Sequence, residues 1–210
     1  MFLVQCFWRV IYLFKFGSIF HFKKGLLLML NEKKKVAELI DAIKGDEKRV
    51  FKTAIDIYEK LKNAESYKLV ANSNYLRNRI DTNFEFLYNK DNYEDGYLDV
   101  RIGMVANVVL LQIALEKRMN EAVINSIENN FTEHIYAIMT IYCTLKANNL
   151  KKLLNAYFNE MRHIVNEIYK ISNDERSKTI MLKAINLRSK DISVKVIKSA
   201  QKKAMEGMDE

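Results

Sequence analysis

The chain contains no proline and only six glycines in 210 residues. Proline removes a backbone donor and clashes with the preceding turn, and a glycine inside a helix costs about 1 kcal/mol relative to alanine. A sequence almost free of both can run in long uninterrupted helices, so an all-α fold is expected. The balance of 49% hydrophobic and 29% charged residues is that of an ordinary globular chain with a buried core.

Helical periodicity from Met29 onward predicts a bundle of about five to six helices with an added basic C-terminal helix pair. Val36, Leu39, Ile40 and Ile43 form one face, which Gly45 closes before Asp46 caps a second helix carrying Val50, Phe51, Ala54, Ile55, Tyr58 and Leu61. A third helix is expected from Ser66 to Tyr88, with Leu69, Ser73, Leu76, Ile80, Phe84 and Leu87 inward, followed by a loop over "NKDNYEDG", Asn89 to Gly96. The run Ile102 to Leu115 has no charged residue over fourteen positions, which fits a central core helix better than a membrane span. Asn130 with Glu133 reads as a capping box opening a fifth helix, and Leu150 to Ile168 is the most regular amphipath. Ser172 with Glu175 reads as a second capping box, starting a helix through Ile180, Ala184 and Leu187. Asp191 to Met205 completes the pair, although "ISVKV", Ile192 to Val196, alternates as a short strand would. The expected units are residues 1–28, a helical bundle over 29–172, and a basic extension over 173–210.

Residues 1–28 hold six of the eleven phenylalanines, the only tryptophan and no acid. Arg9 and Lys15 near the middle of this stretch each cost a membrane span roughly 2.5 to 3.5 kcal/mol, and no signal-peptide organisation is present. Met29 is read as the translation start, with a weakly membrane-associated N-terminus as the other reading. Cys6 and Cys143 are too few and too far apart for a disulfide framework or a zinc site, so a reducing, cytoplasmic setting is expected.

No nucleophile–base set, phosphate-binding glycine loop or pair of carboxylates on an apolar face supports catalysis, and neither enzyme activity nor a cofactor is expected. Glu160 and His163 form E-x-x-H, but a di-iron bundle needs a second copy. His163 lies about 120° from Tyr157 at the centre of the apolar face and is expected in solvent, while His134 is read as a capping-turn residue.

Charge is unevenly placed. Arg176 to Lys203 carries nine basic residues and one acid, Asp191, a net +8, whereas Met29 to Glu175 sums to −1. That asymmetry is the footprint expected for a polyanion partner. Lys195, Lys198 and Lys202 share one helix face by their i, i+3, i+7 spacing, with Lys203 beside them, and Ala184 to Ile197 around Arg188 admits a weak helix-turn-helix reading.

Three segments resemble a known family. "NSNYLRNRI" (Asn72 to Ile80), "YLDVRIGMVANVV" (Tyr97 to Val109) and "FTEHIYAIMTIY" (Phe131 to Tyr142) are similar, in order and spacing, to the T-S-Q-[IL]-R-x-[IL]-L, Y-L-[KR]-V-[KR]-[LF]-x-Y-x-A-G-R and F-x-x-[FY]-M-E-A-L-V-A-Y segments of the Csm small subunit. That protein is the helical small subunit of type III-A CRISPR interference complexes. The chain departs from the pattern at Asn74 and Tyr75, at Ala106 to Val108 and at Tyr136. The resemblance implies a non-catalytic subunit of an RNA-guided antiviral effector that self-associates, contacts other subunits and touches guide and target RNA through phosphates. Arg77 and Arg101 match the family's basic positions, and Lys68 and Arg79 neighbour Arg77 by helix spacing. Arg77 and Arg101 are both expected at the surface. A helical protein-interaction module without nucleic-acid binding, and a basic DNA-binding protein using the C-terminal helices, are the other two readings.

Overall fold

The computed structural model describes residues 25–88, 93–142 and 145–206, so the stretch before Gly25 lies outside it, as do Cys143 and the side chains of Phe84 and Leu87. Seven helices make up the described chain: α1 (Gly25–Gly45), α2 (Glu47–Leu61), α3 (Ser66–Tyr88), α4 (Tyr93–Glu116), α5 (Glu121–Ile141), α6 (Ala147–Ser172) and α7 (Glu175–Glu206). The fold is the all-α bundle that the missing prolines dictate. Among the described residues no helix is long and apolar enough to cross a membrane.

Helix α4 is the axis of the bundle, packing against α2, α3, α5, α6 and α7. From Val100 to Leu115 every residue except Ile102 is buried, because a helix that is apolar all round has no face to give to water. The hairpin of α6 and α7 closes one side, and the core is continuous from Ile43 in α1 to Ile192 in α7. Thus the basic C-terminal helix enters the same core as the rest through Met181, Ile185 and Ile192.

Helix ends depart from the sequence reading in four places. Helix α4 already begins at Tyr93, since a single glycine, Gly96, is tolerated inside a helix at about 1 kcal/mol. Helix α5 starts at Glu121, where the Asn120 side chain accepts the Val123 N–H at 3.0 Å, and Asn130 and Glu133 lie in mid-helix rather than forming a capping box. Asp46 stands at the α2 N-cap without capping through its side chain. At the start of α7 the cap is Asp174, whose Oδ1 accepts the Ser177 N–H at 2.9 Å, not Ser172. The expected C-terminal pair is one unbroken 32-residue helix, and "ISVKV" is helical within it. Its buried side is Ser177, Met181, Ile185 and Ile192, which leaves Ile180 and Leu187, two of the positions through which the sequence traced this helix, exposed.

Two turns use left-handed residues where glycine is usual. Arg118 (φ 52°) and Asn173 (φ 54°) end α4 and α6, and after α4 the Met119 N–H reaches back to the Ala114 carbonyl at 3.0 Å, as in a Schellman turn.

Between α3, α4 and α5 the core is polar. Ser73 donates to Asn107 Oδ1 at 2.5 Å, Asn130 donates to Ser73 Oγ and Asn74 Oδ1 at 2.9 Å each, and Asn107 donates to the Gly103 carbonyl at 3.0 Å. His134 is fully buried within α5, with Nδ1 2.8 Å from the Asn130 carbonyl, so it is a core residue and not part of a capping turn. Its ring lies against Gly103, where an added Cβ would overlap Nε2; glycine here is what lets α4 and α5 approach.

Replacing Gly103 with Ala is therefore expected to cost about 1–3 kcal/mol by overpacking, with part of the loss recovered in the double variant with His134→Ala, as read by urea denaturation. A second expectation concerns Tyr58, which joins α2 to α4 by donating to Glu116 Oε2 at 2.8 Å. Burial, then the Glu116 carboxylate, push its phenol well above the usual value near 10. The folded pKa being the higher, this contribution is present below about pH 10 and is lost as pH rises through the folded value. Tyr58→Phe should lower stability near neutrality by about 1 kcal/mol, and the gap to the parent protein should narrow above about pH 10.

Candidate nucleic-acid interface

The basic residues singled out from the sequence fall into three environments. Arg101, expected at the surface, is 0% exposed. Its Nε and Nη2 donate to the two oxygens of Glu160 at 3.0 and 2.5 Å, Nη2 also donates to the Ile43 carbonyl at 2.8 Å, and Nη1 lies 3.4 Å from Asp46 Oδ2. A guanidinium withdrawn from water and committed to Glu160, Ile43 and Asp46 is not presented to a phosphate. The expectation fails because periodicity treats every charge as surface, whereas a fork-shaped cation facing a carboxylate can be buried when every hydrogen bond is made.

A second group is at the surface but already paired. Arg77 Nε is 2.7 Å from Glu133 Oε2, with the arginine side chain 38% exposed, so it does leave the apolar stripe. Arg188 donates to Glu128 Oε1 at 3.2 Å, and Lys195 donates to the Tyr136 hydroxyl at 2.6 Å. All three tie α3 or α7 to α5. The helix-turn-helix reading needs a turn near Arg188, and α7 passes through that position unbroken. The side chains of Lys198, Lys202 and Lys203 lie outside the described residues.

The third environment is the outer face of α3. No acidic residue occurs from Ser66 to Ile80, and Leu69, Ser73 and Ile80 face the core. On a flank roughly 110° round the helix from them, Lys68, Asn72, Tyr75 and Arg79 are exposed and follow one another at i, i+4, i+7 and i+11, a single stripe about 16 Å long. Tyr75 is 61% and Tyr67, one position before Lys68, is 62% exposed. The Lys68 ammonium lies 5.9 Å from the Tyr67 ring centroid, and Asn72 Nδ2 is held on the Lys68 carbonyl at 2.7 Å. Lys68 and Arg79 are thus brought onto one surface with two tyrosines that the basic-residue count passed over. The helical spacing of aromatic, amide and cationic residues on an acid-free segment was the signal in the sequence.

Elsewhere Glu160 and His163 point apart: Glu160 is buried on Arg101, while His163 is exposed, with Nδ1 2.9 Å from Glu47 Oε1 and its ring edge-on to Phe51. Among the described residues no three His, Cys, Asp or Glu side chains gather as a metal site would require. No family model, no curated protein and no solved structure matches this chain.

Arg101→Met alone should cost about 3–5 kcal/mol, since it strands Glu160 in the core, whereas Arg101→Met with Glu160→Leu should recover most of that loss. Chemical denaturation of the two single variants and the double variant measures it. A single-variant cost below about 1 kcal/mol would return Arg101 to the surface group.

Proposed function

We propose that the protein is a non-catalytic RNA-binding subunit that takes single-stranded RNA along the outer face of α3. The observation that carries this reading is the Lys68–Asn72–Tyr75–Arg79 stripe with Tyr67 beside it. Exposed aromatic rings offer stacking surfaces to unpaired bases, at about 1–3 kcal/mol per base, and the flanking cations neutralise the backbone. The Asn72 amide, whose Nδ2 is held on the Lys68 carbonyl at 2.7 Å, would offer its Oδ1 as an acceptor to a base or ribose. Recognition of this kind is nearly independent of sequence and strongly dependent on salt.

The choice of RNA over DNA, and a place in an RNA-guided antiviral effector beside other subunits, rest on the resemblance of Asn72–Ile80, Tyr97–Val109 and Phe131–Tyr142 to the Csm small subunit. The first of these segments is the one that carries the stripe. A cytoplasmic setting rests on the cysteine usage. Duplex DNA binding is the less favoured reading, since the turn it needs in the C-terminal region is absent.

Fluorescence anisotropy with single-stranded RNA, single-stranded DNA and duplex DNA of equal length tests the proposal. The intact protein should prefer single-stranded RNA. Tyr75→Ala and Tyr67→Ala should each weaken binding by about 1–3 kcal/mol where a base stacks, and Lys68→Ala and Arg79→Ala should each reduce the salt slope by about 0.7. Thermal stability should stay within about 0.5 kcal/mol of the parent, all four being exposed positions. Unchanged RNA affinity in the Tyr67→Ala, Tyr75→Ala double variant would overturn the assignment.

A further inference from the structure

Helix α7 turns a second, chemically different face to solvent. Its inner side is spent on Ser177, Met181, Ile185 and Ile192. On the outer side Ile180, Leu187 and Val194 are 36%, 53% and 50% exposed, three large aliphatic side chains at i, i+7 and i+14. An α-helix drifts by only about 20° per heptad, so the three form one nearly straight row, about 21 Å long. Ile171, 42% exposed at the end of α6, lies at the same end of the hairpin as Ile180. Lys183 and Lys190, also one heptad apart, run beside the row and are exposed, and among the described residues neither has an ion-pair partner. The cations on the other flank, Arg188 and Lys195, are engaged by Glu128 and Tyr136 of α5.

We propose that this face docks an acidic amphipathic helix from a partner protein. Phosphates gain nothing from an aliphatic row, which separates this surface from the α3 stripe. A membrane-lying helix presents an apolar sector about 100° wide or more, whereas this row is one residue wide, with Lys183, Lys190 and Asp191 exposed beside it. Heptad-spaced aliphatic residues with lysines at the flanking positions match a partner helix that carries its own apolar seam and Asp or Glu beside it, because flanking charges select the partner in such pairs. A second copy of α7 laid against the first brings the Lys183 and Lys190 rows together, so like charges disfavour self-pairing. The length of the row calls for about four turns of partner helix.

The test uses the full chain and two synthetic helical peptides of about four turns, identical in a leucine seam but flanked by glutamate in one and lysine in the other. Binding is followed by anisotropy, with sedimentation velocity and co-sedimentation with phosphatidylcholine–phosphatidylglycerol vesicles alongside. The glutamate peptide should bind and the lysine peptide should not. Leu187→Gln should weaken the glutamate peptide by about tenfold, the share expected from burying one leucine, and the Lys183→Glu, Lys190→Glu variant should reverse the peptide preference. Both variants change exposed positions and should keep the helical circular dichroism and unfolding midpoint of the parent. Equal binding of the two peptides, binding of neither, or glutamate-peptide binding untouched by Leu187→Gln overturns the proposal. Leu187-dependent vesicle binding or Leu187-dependent dimerisation in place of peptide binding overturns it in favour of a membrane or a second copy.

Discussion

The packing of this bundle turns on one buried ion pair. Arg101 sits one residue into the buried run of α4 and is wholly withdrawn from water, so the large desolvation cost of its charge must be offset by hydrogen bonds. Glu160 from α6 takes two of its donors, the Ile43 carbonyl near the end of α1 takes another, and Asp46 at the head of α2 lies at the edge. A displacement of α6 along α4 by one turn would strand both charges. The pair therefore sets the register of α1, α2 and α6 against the central helix, where aliphatic contacts alone would tolerate several arrangements.

The other side of α4 is held by a different device. Ser73, Asn107 and Asn130 connect α3, α4 and α5 through hydrogen bonds between buried side chains, and His134 bonds the Asn130 carbonyl within α5; in the interior each such bond is strong and each omission costly. Gly103 allows the His134 ring to lie on the α4 backbone. All of these but Asn130 belong to the three segments on which the proposed kinship with the Csm small subunit rests. Ser73, Asn107 and His134, one from each, meet in the core, and of the two matched arginines one is buried and the other is ion-paired. The segments thus act first as packing elements, and the surface that the first of them exposes is the α3 stripe.

Because α3 packs against α4 and α5 while α7 packs against α6 and α4, the two outward faces are carried by different helices on a common axis. One combines tyrosines with cations, the other aliphatic residues with lysines. The chemistry of each suits a different kind of proposed partner.

The sequence by itself determined the fold class, the helical character of almost every segment and the central place of Ile102 to Leu115. Helix formation and apolar periodicity are properties of neighbours within a few turns, and the missing prolines left little to interrupt them. Lys68 and Arg79 were also legible, being charges on the polar side of an amphipathic helix. Tertiary structure decided the fate of Arg101, because its burial depends on Glu160, 59 residues away. It likewise placed Asn130 and His134 in the core, since their hydrogen bonds are made across helices or within a helix whose true start was Glu121. In α7 it chose Met181, Ile185 and Ile192 over Ile180 and Leu187 as the inner side. A helix with aliphatic residues on two sides can bury either, and only the neighbouring helices select which one faces water.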